Sequence, residues 1–460
     1  MNRRDLLRVG SLPLFDLSLG RFLAGRATAS EASSDRPRGR ARACIVLFMW
    51  GGPAHQDTWD PKPNAPDVYR GEFSTIATRV PGYRVCEHLP RLADRADKLA
   101  VIRSMTHNDV DHTSATHFLL TGRDRANRGA PIADDFPNYG AVLSSMGRGR
   151  GPLPPYVSMM PVVPNGAPRF VEQSHGQGAG WLGPLHNPMR IDSDASRPEY
   201  RVGDFSLVTD VPMTRANDRR TLVEAIDAQR RRGEFDAQSR AMGNHFNRAF
   251  SLLSSPEVTR AFDLSHEPAA VRERYGMNVH GQSVLQARRL VEAGVPLVTV
   301  FWPNDGITNV SVYWDTHSRN FIDLRTRLCP VTDQAFSALL DDLADRGMLD
   351  ETLIVWTGEM GRTPRVGQSV VGGAGAGVDG RDHWAGVFTS VLAGGGIRGG
   401  VIHGSSDRFA AYPAESPTRP ADLAATIYRC LGVPADYHLH DRLGRPHLLC
   451  DGEVIDAILA

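Results

Sequence analysis

The stretch Cys44-Ile45-Val46-Leu47-Phe48-Met49-Trp50, halted by Gly51-Gly52-Pro53, decides the fold. Seven apolar residues in a row, β-branched at Ile45 and Val46, describe a strand buried on both faces of a parallel sheet. The Gly-Gly-Pro that follows is a turn, so His55, Asp57 and Asp60 come just beyond the strand's carboxyl end. In open α/β sheets that edge is where ligands bind.

Similar runs recur downstream. Val295–Trp302, Thr352–Thr357 and Val387–Leu392 read as further buried strands, and Ala100–Ile102 as a short one. Between them lie helical spacings: Leu89–Leu99, Thr113–Leu120, Gly281–Ala293, Asp333–Arg346, and Ala421–Leu431 with Thr418 as its expected cap. Strands alternating with helices predict an α/β fold, a mostly parallel central sheet covered by helices on both faces. Residues 150–210 are rich in Pro and Gly, and 211–260 have helical spacing, so a loop-rich and helical insertion is expected at about 150–260 of a single domain spanning 43–460.

The front end reads as an address. Arg3-Arg4, a weakly apolar stretch and Ala27-Thr28-Ala29 predict a twin-arginine-type signal peptide over 1–29, with a flexible spacer over 30–42. A poorly ordered basic N-terminus without a targeting role is the plainer alternative. Nowhere is there an apolar run long enough for a membrane span. The expected location is periplasmic or extracellular, reached through the twin-arginine export machinery.

Of 460 residues 41% are hydrophobic and 23% charged, enough apolar surface for a large core. Formal charge is zero, and only Lys62 and Lys98 are lysines, so the other basic residues are arginines. A neutral chain without a basic run beside an aromatic ladder excludes a nucleic-acid-coating role. Five scattered cysteines make neither a zinc cluster nor a disulfide framework; a Cys430–Cys450 bridge is the one pairing to consider.

Four polar groups share a place near strand ends: His55 with Asp57, Asp315 with His317, Glu359 with Arg362, and Asp382 with His383. Each alone has a duller explanation in a capped turn or a local ion pair. Together, carboxylates and imidazoles without thiolate suit one or two divalent ions, Zn²⁺, Ca²⁺, Mg²⁺ or Mn²⁺. A further run, His107 to His117, is dense in histidine; Thr113 or Ser114 could cap a helix there, or that helix N-terminus could receive an anion.

These clusters, in this order, resemble the DUF1501 family of exported bacterial proteins from Arg42 to Leu459. The most specific stretches are Trp50–Pro63, His112–Gly122, Gly281–Arg289, Trp314–His317, Gly358–Thr363 and Asp382–Trp384. The resemblance implies a fold similar to the alkaline phosphatase and sulfatase superfamily. It implies Asp57, Asp315, His317, Glu359 and His383 as metal ligands. Counting back from Leu119-Leu120-Thr121-Gly122 puts His112 where that superfamily keeps its nucleophile, with Thr113 and Ser114 as neighbouring alternatives and Arg362 to steady the ester oxygens. The sulfatase Cys-x-Pro-x-Arg signature is absent. The expected activity is metal-dependent hydrolysis of a phosphate or sulfate ester, on an anionic small molecule or glycan. The alternative is a non-catalytic exported binding or scaffold protein that keeps the fold.

Overall fold

The computed structural model describes residues 39–124, 132–149, 152–160, 170–198, 200, 202, 255–304, 312–371 and 373–460. The expected leader, most of the expected spacer and most of the helical segment expected at 211–260 lie outside them. Residues Arg40–Ala460 form one compact unit. Ala41 is already buried, and Arg42 pairs with Glu351, so the chain joins this unit just before the first strand.

The sheet has eight strands: β1 Ala43–Phe48, β2 Leu99–Met105, β3 Tyr156–Met159, β4 Met189–Ile191, β5 Leu297–Phe301, β6 Thr352–Thr357, β7 Phe388–Ala393 and β8 Val401–His403. Their spatial order is β8-β2-β7-β6-β1-β5-β3-β4. β1 lies at the centre, parallel to β5 on one side (Cys44 opposite Leu297) and to β6 on the other (Ala43 opposite Thr352). β7 runs antiparallel to both its neighbours, while the other pairings are parallel. The sheet is therefore mixed, with one reversed strand. Every residue of β1, β5, β6 and β7 is buried, which is why these strands appear as unbroken apolar runs rather than as an alternation.

Helices flank the sheet: α1 His112–Thr121, α2 Tyr139–Ser145, α3 Val279–Glu292, α4 Cys329–Asp345 and α5 Pro420–Cys430. α4 begins four residues before its expected start, with Pro330 in the first turn, where its missing N–H leaves no bond unmade. The helix expected over Leu89–Leu99 is only Pro90–Ala93 and a separate turn Ala96–Lys98. Asp333 takes the Arg91 and Leu92 N–H groups, and the Ala93 carbonyl accepts from Arg79 N instead of continuing the helix. Tertiary bonds outbid the local spacing. Thr418 does not cap α5. Its backbone pairs with Ser104 and Thr106 at the end of β2, and the cap is Arg419, whose N–H donates to Asp422 Oδ2 at 2.8 Å. Cys430 and Cys450 are separate thiols. No described helix is long and apolar enough to cross a membrane.

Candidate metal centre

Five chain segments meet beyond the carboxyl ends of the parallel strands. β1 delivers Gly51, β2 leads to α1 and His112, β5 leads toward Asp315 and His317, and β6 delivers Glu359. The fifth, His383, precedes β7. Because β7 is reversed, its amino end lies at the same edge, with Phe388 opposite Met105 at the end of β2.

Aromatic packing fixes the loop that carries Asp315 and His317. Trp314 is buried, with its ring against Trp302 at 5.4 Å and Trp356 at 5.9 Å. Its backbone N–H donates to Trp50 O at 2.8 Å. Gly51, at φ +102°, lets the loop close: a Cβ there would run into the Asp315 backbone nitrogen. Tyr313 and Arg319 bracket the same loop in left-handed conformations, φ 60° and 57°, which non-glycine residues adopt only when their surroundings hold them. On the other side, Arg381 N donates to Thr316 O (3.1 Å) and Gly377 N to His317 O (2.7 Å), tying this loop to the segment before His383. His383 itself sits in a two-residue ribbon opposite Arg362.

One donor atom from each of His112, Asp315, His317 and His383 lies within 4.8 Å of all the others. Asp315 Oδ1 is the hub. It is 2.8 Å from His317 Nε2, 3.3 Å from His383 Nε2 and 3.4 Å from His112 Nε2, and it also pairs with the Arg362 guanidinium. His317 Nε2 and His383 Nε2 are 2.9 Å apart. Two ring nitrogens this close to one another and to one carboxylate oxygen point their lone pairs or protons at shared space. His317 Nδ1 donates to Gly375 O at 2.6 Å, which leaves Nε2 as the cluster-facing atom.

Electrostatics keep the cluster polarised. Burial opposes the ionisation of Asp315, but the Arg362 charge, and next the His112 charge, hold its carboxyl well below the usual range. Burial likewise works against a charged His112, yet the neighbouring Asp315 and Glu359 carboxylates raise it to about 9. His383 is pushed down, chiefly by burial, with the Arg362 charge adding to the effect against its Asp315 hydrogen bond. Arg362 is fully buried and fixed by backbone carbonyls: Nε on Gly52 O at 2.9 Å, Nη1 on Arg381 O at 3.3 Å, and Nη2 on Gly51 O.

The remaining expected residues take other places. Asp57 does not join the cluster. Its Oδ2 accepts from Arg381 Nε (2.7 Å) and Asn320 Nδ2 (2.8 Å), its Oδ1 from Arg381 Nη2 (3.1 Å). Glu359 stands behind His112: its Oε1 is 2.6 Å from His112 Nδ1 and accepts from Gly51 N at 2.8 Å. Thr113 and Ser114 turn their hydroxyls to Asp111, whose Oδ1 also accepts both of their backbone N–H groups. Asp111, rather than Thr113 or Ser114, is thus the cap of α1, and it occupies the helix N-terminus that was the alternative place for an anion. His117 is structural, between Arg123 O and Phe136 N. His55 is buried on Ala410 O, and burial pushes it down to about 3.

A family model described as a protein of unknown function, DUF1501, matches residues 41–459. The chain belongs to the DUF1501 family. No curated protein matches it. Among solved structures this DUF1501 protein is similar to a Vibrio parahaemolyticus protein in the alkaline phosphatase superfamily, at 10% identity and TM-score 0.43, covering 92% of this chain and 71% of that one. It is also similar to a phosphonate monoester hydrolase from Silicibacter pomeroyi (11% identity, TM-score 0.39, 90% and 76% covered). A third is the alkaline phosphatase of the Antarctic bacterium TAB5 (10% identity, TM-score 0.38, 85% and 98% covered).

The site of this DUF1501 protein is argued from its own residues. Three imidazoles and one carboxylate, with no thiolate, are a donor set consistent with a single divalent ion. Placement near strand ends and the family resemblance had pointed to Asp57, Asp315, His317, Glu359 and His383 as ligands and to His112 as nucleophile; the structure gathers His112, Asp315, His317 and His383. Asp111 and Arg381 stand in the polar clusters without an assigned role, and Asn320 and Gly375 in none; the roles of all four are bonds that only folding shows.

Proposed function

We propose that Asp315, His317 and His383, joined by His112, hold one divalent ion, and that the protein is an exported hydrolase of an anionic phosphate or sulfate ester. The observation that carries this is the convergence of four donor atoms within 4.8 Å at the carboxyl edge of the sheet. Imidazole-rich donors favour zinc over calcium or magnesium, which prefer all-oxygen shells. Such an ion, when bound, supplies Lewis acidity to an ester oxygen.

The chain supplies the rest. Arg362 adds a fixed positive charge that no rearrangement need create, suited to an anionic ester. His112, the first residue of α1, completes the donor set through Nε2 and so is not itself the attacking atom; Thr113 and Ser114, turned to Asp111, are not either. Asp315, its side chain 14% exposed against 6–9% for the three histidines, marks the side from which a substrate enters. Arg3-Arg4 and the small residues at Ala27–Ala29 support export.

A second reading has its own observation. Four protein donors fill a four-coordinate ion and leave no position open, as in structural sites. A binding or scaffold protein with a closed ion site fits that count. Turnover by the zinc-loaded wild type separates the two: a hydrolase shows it and a closed site does not, while His112→Ala loses zinc affinity under either reading. The primary test is the metal content of the purified protein, with a screen of aryl phosphates, phosphodiesters and aryl sulfates in the presence and absence of a chelator. Bound zinc with chelator-sensitive turnover supports the hydrolase. Absence of both contradicts it.

A further inference from the structure

Glu359 is fully buried, yet it falls outside the group of donors that share the 4.8 Å space. Its Oε1 faces two donors, the Gly51 N–H and His112 Nδ1, at 2.8 and 2.6 Å. Its backbone is equally fixed, since the Glu359 carbonyl accepts from His107 Nε2 at 2.7 Å. His107 Nδ1 is the acceptor for Asp109 N, which leaves its Nε2 as the protonated nitrogen. The carboxylate is thus held by Gly51 and His112 and the backbone by His107, and one carboxylate oxygen is aimed at the far nitrogen of a cluster histidine.

We infer that Glu359 is a positioning residue: its Oε1 holds His112 through Nδ1–H, so that Nε2 is the atom presented to Asp315 and to any ion. The inference rests on the metal-centre reading and deepens it, because it takes Glu359 out of the ligand set that the strand-end pattern predicts. A histidine whose one nitrogen donates to a carboxylate is oriented, fixed in tautomer and made a better donor at the other. The alternative for Glu359 is direct ligation through Oε2, which makes no hydrogen bond among the described residues.

The test compares Glu359→Gln and Glu359→Ala with wild type and His383→Ala. Gln keeps an oxygen able to accept from both Nδ1–H and Gly51 N–H; Ala removes it. Zinc affinity by competition titration should fall about 10–100-fold in Glu359→Ala, the range for loss of an outer carboxylate, and be largely restored in Glu359→Gln. In the zinc-loaded protein, nitrogen-15 histidine spectra should show His112 bound through Nε2 and protonated at Nδ1 in wild type and Glu359→Gln. An affinity in Glu359→Ala equal to wild type overturns the inference. So does loss in Glu359→Gln as deep as in His383→Ala, which would make Glu359 a ligand. If wild type itself takes no zinc, the metal reading fails separately. The positioning role is then read from metal-free crystal structures: a His112 ring kept in Glu359→Gln and turned in Glu359→Ala upholds it, and a ring unmoved in Glu359→Ala overturns it.

Discussion

Asp57 and Arg381 face each other in a site closed to solvent, bonded through both carboxylate oxygens and two guanidinium nitrogens at 2.7 and 3.1 Å. The remaining guanidinium hydrogens go to Thr363, Pro364 and Tyr69 carbonyls. Arg381 lies two residues before His383, so the pair anchors the segment that brings that imidazole to the cluster.

Asp57→Asn should therefore act on stability first. Breaking one side of a buried pair costs about 3–5 kcal/mol, because the other charge stays buried without a counterion. Urea denaturation should show this loss, while zinc stoichiometry in the folded fraction stays at the wild-type value. Lost zinc at unchanged stability would return Asp57 to the ligand set.

Gly51→Ala attacks the loop rather than the donors. A Cβ at φ +102° is strained, and it meets the Asp315 backbone. The strain alone is worth roughly 1–3 kcal/mol. Thermal unfolding should show a lower midpoint, and zinc affinity should fall as well, since Asp315 must move to admit the methyl group. An unchanged affinity would mean the loop is held without this close approach.

Asp111→Ala tests the cap of α1. Loss of a side-chain cap costs about 0.5–2 kcal/mol. The measurement is the denaturation midpoint. A change no larger than that of an exposed control substitution would show that Thr113 and Ser114 take over the cap.

Asp341 gives a pH dependence away from the site. Burial opposes its ionisation, but hydrogen bonds from Arg95 and Arg274 hold its carboxyl down, at about 2 against an ordinary 3.8. A depressed acid stabilises the fold above its unfolded value and stops doing so as pH falls through the folded one. Asp341→Asn should cost stability at pH 5 and progressively less between pH 4 and pH 2, followed by chemical denaturation at each pH. A difference that does not shrink would contradict the pairing.

The strands were legible because β1, β5 and β6 are buried on both faces, and burial on both faces writes an apolar run into the sequence. Asp315, His317 and His383 were legible by their place near such runs. Asp57 carried the same mark and yet pairs with Arg381, a partner 324 positions away that no local pattern announces. Glu359 shows the same limit: the sequence places it at the edge of the sheet, but only folding shows that His112 stands between it and the other donors. The helix expected at Leu89–Leu99 failed for a related reason, since Asp333 and Arg79 take its backbone groups.

The central claim is that distant imidazoles and one carboxylate close on a single ion. X-ray absorption at the zinc edge of the zinc-loaded protein tests it most directly. The account predicts one zinc per chain in a shell dominated by imidazole nitrogen at about 2.0–2.1 Å, without sulfur. A protein that takes up no zinc, or a shell of oxygen alone, would contradict it.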